Sequence, residues 1–138
     1  MSPAMATARR SPATARRIIA VGGGKGGVGK SVLSANIAVA FAERGQQVVL
    51  IDADLGMANA HTLFSIDRPG KGLGAVLDKE VSDVGETRVA TGVPNLTLIP
   101  GTSASPGTAN INHGQKQKLL RQIRNLDVDL VVIDCGAG

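Results

Sequence analysis

Apolar residues along the chain fall into short blocks separated by glycine-rich or polar stretches. "RIIAV" (residues 17–21) is a β-branched run that ends in glycines, the pattern of a buried strand. Residues 31–44, "SVLSANIAVAFAER", lack Pro and Gly, are apolar nearly all round and precede Gly45, a natural C-terminal cap. They predict a buried helix. "QQVVLID" predicts a second strand, "NLTLIP" a third that is stopped by Pro100, and "DLVVID" a fourth. Residues 55–95 are loop-rich, with a short helix expected around Leu73 to Leu77. Residues 115–126 predict an amphipathic helix. Leu119, Leu120, Ile123 and Leu126 share one face, and Lys116, Lys118, Arg121 and Arg124 lie mostly on others.

Continuous apolar strands alternating with helices imply an α/β fold: a mostly parallel sheet with helices on both faces. Such sheets bind ligands beyond the C-terminal ends of their strands. Each predicted strand here ends in residues with chemistry: a glycine loop, "DADLG", "PGTSAS" and "DCGAG". All four would gather at one edge.

Composition narrows the picture. The chain has two Phe and neither Tyr nor Trp, so its core must be built from Val, Leu, Ile and Ala. So few rings argue against a nucleic-acid site based on stacked aromatics. The net charge of +4 sits in one place. Residues 1–17 hold Arg9, Arg10, Arg16 and Arg17 and no acid; without them the 15 basic residues fall to 11, equal to the 11 acids. Residues 1–17 therefore read as a disordered basic tail ahead of one domain over residues 18–138. No apolar run is long enough to span a bilayer. The lone Cys135 cannot form an internal disulfide, which suits the cytoplasm. His61 and His113 have no ligand-like spacing with each other or with Cys135.

The specific signal is "GGGKGGVGKS" at residues 22–31. Gly24 to Ser31 match G-x-x-x-x-G-K-[ST], after a strand and before a helix. Gly24, Lys25, Gly26, Gly27, Val28 and Gly29 would turn the backbone so that its N–H groups face phosphate oxygens. The helix N-terminus adds partial positive charge. Lys30 would reach the β and γ phosphates, and the Ser31 hydroxyl would bind Mg²⁺. Gly22, Gly24 and Gly27 also spell G-x-G-x-x-G, but a dinucleotide reading leaves Lys30 and Ser31 without a role. Asp134, at the end of "LVVID", can hold a water of the Mg²⁺ shell, and Gly136 would let the following turn approach the γ-phosphate. Asp52 reads as a structural strand-end acid that contacts the loop. Asp54, two residues on, would orient an attacking water, since positioning dominates phosphoryl transfer.

"KGGVGKS", with its extra lysine, is the deviant Walker A motif, and the chain resembles the MinD/ParA family of dimerising ATPases. The likeness extends through "IDADLGMANAHTLF", "PGKGLGAVL" and "HGQKQKLLRQIRNLDVDLVVIDCGAG". "DADLGMAN" stands where ParA-type proteins carry D-x-D-P-Q, and is similar to MinD and to FlhG-type flagellar number regulators. The resemblance implies a P-loop NTPase fold, ATP and Mg²⁺ as cofactors and ATP hydrolysis. It also implies an ATP-dependent homodimer in which Lys25 reaches the partner's nucleotide, and a protein partner in a flagellar or cell-pole system. DNA is then an unlikely partner, and peripheral membrane attachment would come from a C-terminal segment. Ser31 replaces the commoner Thr of the family. Family members continue beyond the point matching Gly138, so the chain is expected to be the N-terminal part of a larger ATPase, with a strand edge open to self-association. The alternatives are a ParA-type DNA-partitioning ATPase, an Mrp-type iron–sulfur carrier ATPase, and a fragment that binds phosphate without hydrolysis.

Overall fold

The computed structural model describes residues 17–22, 28–54, 60–67, 69–101 and 113–135. Five strands form one sheet: β1 (Arg17–Val21), β2 (Val48–Asp52), β3 (Val89–Ala90), β4 (Leu96–Ile99) and β5 (Leu130–Asp134). Their order is β1-β5-β2-β4-β3. The first four in that order are parallel, and β3 runs antiparallel to β4. The helices are α1 (Val28–Glu43), α2 (Leu73–Leu77) and α3 (His113–Arg124). Ala60–Phe64 and Val84–Thr87 form 3₁₀ turns.

The period of two along each central strand divides the core. Val48, Leu50, Leu96, Leu98, Leu130 and Val132 pack on one side against Ala35, Ala38 and Ala42 of α1. Those alanines recur at the spacing of one helical face. Val49, Ile51, Ile99 and Val131 pack on the other side against Leu73, Val84, Ile123 and Leu126. The expected two-sided α/β sheet is therefore present. Gly45 ends α1 with φ +90°, donating its N–H to Ala42 O at 3.0 Å while Gln46 N–H reaches Phe41 O at 3.2 Å. Glycine takes that left-handed turn without strain.

Several expectations need correction. β1 is an edge strand, paired only with β5 among the described residues. Ile18 is 39% exposed, so the strand is not buried. α1 is likewise buried on one face only: Val32 and Leu33 stand exposed, Leu33 by 52%. β-branched runs and apolar helices look alike whether one side or both are covered. α1 begins at Val28 rather than residue 31, and α3 spans Val-free positions 113–124 rather than 115–126. Leu126 lies beyond α3 but remains in the core at the turn into β5. β3 was not expected; two residues carry no period, and only pairing with β4 makes them a strand.

Near Phe41 the surface is held by cations. The guanidinium of Arg17 lies 5.3 Å and that of Arg44 5.8 Å from its ring centre. Each such contact contributes about 0.5–1 kcal/mol at an exposed site. On the opposite sheet face, α2 is fixed to the end of β4. Leu73 N–H donates to Pro100 O at 2.7 Å and Gly74 N–H to Gly101 O at 3.1 Å.

That junction leaves no room at Gly72. A Cβ there would lie 2.1 Å from Pro100 O and 2.7 Å from Pro100 C. Gly72→Ala is expected to lower the stability to urea by more than about 2 kcal/mol, because backbone, not a flexible side chain, must move. A change within about 0.5 kcal/mol, as for an open surface site, would show that the junction is not closed.

Candidate phosphate-binding site

Strand order decides which residues meet. β5 lies between β1 and β2, with Val21 level with Asp134 and Asp134 level with Asp52. The chain leaving β5 is tied to both neighbours: Cys135 N–H donates to Val21 O, and Ala53 N–H to Asp134 O, each at 2.9 Å. β1 and β2 thus leave the sheet on either side of Asp134. This is the carboxyl-end edge at which open α/β sheets place their ligands.

α1 opens at the same edge. Val28, Gly29 and Lys30 form its first turn, where backbone N–H groups lack helical partners and the helix dipole is positive. The Ser31 hydroxyl donates to Asp134 Oδ2 at 2.8 Å, joining residues 103 apart in sequence. Ser34, fully buried, donates its hydroxyl to Lys30 O at 3.1 Å and steadies the turn. Lys30 Nζ is buried and has no hydrogen-bond partner among the described residues. A buried ammonium that lacks a hydrogen-bond partner is costly, so this position favours an anion.

Asp52 is 1% and Asp134 2% exposed. Asp52 uses both oxygens. Oδ1 accepts from Asp54 N–H at 3.1 Å, and Oδ2 accepts from Ala60 N–H at 3.0 Å. Burial raises the Asp52 carboxyl above the ordinary carboxylate range. The two N–H bonds oppose that rise, and the carboxylates of Asp134 and Asp54 add to it. A divalent cation at this edge would relieve this crowding of acids.

The sequence-predicted residues are thus partly assembled. Lys30, Ser31, Asp52, Asp54 and Asp134 share one edge. Gly29 lies in the first turn of α1 with open space where a Cβ would sit. Val28 starts the helix. Gly24, Lys25, Gly26, Gly27 and Gly136 lie outside the described residues. Two contacts were not expected: the Ser34 hydroxyl donates to Lys30 O, and Ala60 N–H donates to Asp52 Oδ2. Only the Asp52–Asp54 contact had a sequence signal, the tendency of Asp to cap the N–H two residues on.

This geometry is that of a phosphate-loop, nucleotide-binding α/β domain. Residues 19–133 match the family model described as the CobQ/CobB/MinD/ParA nucleotide binding domain, and the chain belongs to that family. The antiactivator FleN of Pseudomonas aeruginosa is 34% identical over 126 residues, which cover 88% of this chain and 43% of FleN. The cell-division ATPase MinD of Pyrococcus furiosus matches with a TM-score of 0.76 at 32% identity, over 89% of this chain and 51% of that one. MinD of Pyrococcus horikoshii, solved with Mg-ADP, matches with a TM-score of 0.75 at 30% identity, over 88% and 49%. The chain therefore spans less than half of FleN and about half of the two MinD chains.

The lack of a hydrogen-bond partner for Lys30 Nζ among the described residues makes a test possible without any nucleotide. Lys30→Met replaces a buried charge by an apolar chain of similar length. It is expected to stabilise the ligand-free chain by about 1 kcal/mol or more in urea denaturation, by removing an unpaired ion. A loss of stability of that size would mean that Nζ has a structural partner.

Proposed function

We propose that the chain is the nucleotide-binding part of an ATP-driven, Mg²⁺-dependent dimer switch that sets the number or placement of flagella. The observation that carries this reading is the Ser31–Asp134 contact of 2.8 Å, together with a Lys30 Nζ that has no hydrogen-bond partner among the described residues. A hydroxyl and a carboxylate at that spacing suit Mg²⁺, which takes one or two protein ligands and leaves its other positions to phosphate and water. No three His, Cys, Asp or Glu side chains converge as a metal cage among the described residues, which fits a cation that arrives with the nucleotide.

In this reading Ser31 ligates Mg²⁺ directly and Asp134 holds one of its waters. The bound cation would neutralise charge on the β and γ phosphates. Lys30 binds those same phosphates, and the backbone N–H groups of Gly24 to Gly29 surround them, with Gly136 approaching from the turn after β5. Asp54 orients the attacking water. Asp52 acts through Asp54, because its Oδ1 bond fixes the Asp54 backbone. Lys25 serves the nucleotide of the second protomer, as resemblance to the dimerising ATPases implies.

The likeness to FleN, a regulator by its name, supports a regulatory role, and "DADLGMAN" supports the FlhG-like over the ParA-like reading. The protein would act in the cytoplasm on a flagellar or cell-pole partner. No described helix is long and apolar enough to cross a membrane.

Two substitutions in the full-length protein separate the roles. Asp54→Ala is expected to bind Mg·ATP within about threefold of the parent while turnover falls by about 10² or more, as for loss of a water-positioning group. Silence at Asp54 with loss of turnover at Asp52→Ala would reverse the assignment. Lys25→Ala is expected to bind ATP as a monomer yet fail to dimerise with a non-hydrolysable analogue, as read by light scattering. A mutant dimer of normal strength would remove the trans role.

A further inference from the structure

One carboxylate holds both ends of the segment that follows β2. Asp52 Oδ1 accepts from Asp54 N–H at 3.1 Å, and Oδ2 accepts from Ala60 N–H at 3.0 Å. The first bond is local, the ordinary tendency of Asp to hold the N–H two residues on. The second spans eight residues and has no local cause. Asp52 and Ala60 are each 1% exposed, so water does not compete for the oxygen or for the N–H. With one oxygen held, a carboxyl group still turns about its Cβ–Cγ bond. With a donor on each oxygen, Asp52 has one orientation.

Packing in turn holds Ala60. It lies in the apolar cluster that contains Ala35 and Ala38 of α1 and Val48 and Leu50 of β2. Ala60 opens the 3₁₀ turn Ala60–Phe64, and Phe64 and Ile66 pack against the same cluster. Ser65 N–H reaches Thr62 O at 3.1 Å and Ile66 N–H reaches His61 O at 3.0 Å, so the turn closes on itself. α1 is the helix whose N-terminal end carries Lys30 and Ser31. The helix that supplies those two residues therefore also supports the N–H that orients Asp52.

We propose that Ala60 is a positioning residue for hydrolysis: its N–H, carried by a turn packed on α1, fixes the Asp52 carboxylate and through it the backbone of Asp54. This rests on the reading of Asp54 as the group that orients the attacking water. Water positioning tolerates little error, because a shift of about 1 Å lowers turnover by up to about 10²-fold. The Ala60 bond also favours the ionised, accepting form of Asp52. Burial raises the Asp52 carboxyl, and the N–H bonds from Ala60 and Asp54 lower it.

Ala60→Pro removes the donor. Proline is tolerated at the first position of a helical turn, where the turn itself does not use the N–H. In the full-length protein this variant is expected to lower turnover at least about tenfold. Its affinity for Mg·ATP should stay within about threefold of the parent, as for an interaction that matters only in the transition state. Combined with Asp54→Ala it should cause no further loss, because both act through one group. Ala60→Gly keeps the donor, so it is expected to retain the turnover that the Pro variant loses, while its melting temperature falls with the lost methyl group. Equal turnover in the parent and Ala60→Pro, equal losses in the Pro and Gly variants, or a loss that adds to that of Asp54→Ala would overturn the proposal. The nucleotide-free chain tests the link whatever Asp54 does. Asp52→Asn keeps the volume but offers one acceptor to two donors, so amide exchange is expected to rise at Asp54 or Ala60. The Asp54 amide shift is expected to move in Ala60→Pro and to stay in Ala60→Gly. Unchanged exchange at both amides, or an unmoved Asp54 shift in Ala60→Pro, would sink the link. Normal turnover in Asp54→Ala beside these spectral changes would overturn the reading of Asp54 and leave the link standing.

Discussion

The parallel pairing of β5 between β1 and β2 is the constraint on which the rest depends. It places the last residue of β5 between the last residue of β1 and the acid that ends β2. Five residue pairs on each side set that register, and the apolar side chains of β2 and β5 are divided between two clusters. Slipping one residue would turn Val131 and Val132 to the wrong clusters and carry Asp134 away from Ser31. Packing of the core and assembly of the site are therefore one event. The backbone bonds from Cys135 to Val21 and from Ala53 to Asp134 extend that register past the strand ends.

At this edge the protein gathers charges that its own groups do not fully balance. Two almost fully buried carboxylates stand level with each other, and Asp52 is raised by its burial. Nearby, the Lys30 ammonium has no partner among the described residues. Both features are costly in an empty site and are relieved by a ligand that brings anionic oxygens and a divalent cation together. The electrostatics thus favour the metal complex of a polyphosphate over either component alone.

Much of this was legible in the sequence, for particular reasons. β2, β4 and β5 announce themselves because central parallel strands are apolar throughout. Lys30, Ser31 and Asp134 are legible through a motif whose context is a strand, a turn and a helix. The first turn of α1 was hidden, because Val28 and Gly29 read as loop. The exposure of Ile18 and Leu33 was hidden too, because composition does not say how many sides of an element are covered. β3 exists only through its partner. The bond from Asp52 to Ala60 comes from tertiary placement, which no local pattern encodes.

In the proposed function a metal–nucleotide complex sits where Ser31 meets Asp134. Paramagnetic broadening by Mn²⁺, standing in for Mg²⁺, measures this directly in amide spectra of the chain. With Mn²⁺ and a non-hydrolysable ATP analogue together, the strongest broadening is expected at Ser31, Asp52 and Asp134, with residues 76–82 unaffected and little effect from Mn²⁺ alone. Broadening of the same size without nucleotide, or centred elsewhere in the fold, would mean that no metal–nucleotide complex forms at Ser31 and Asp134.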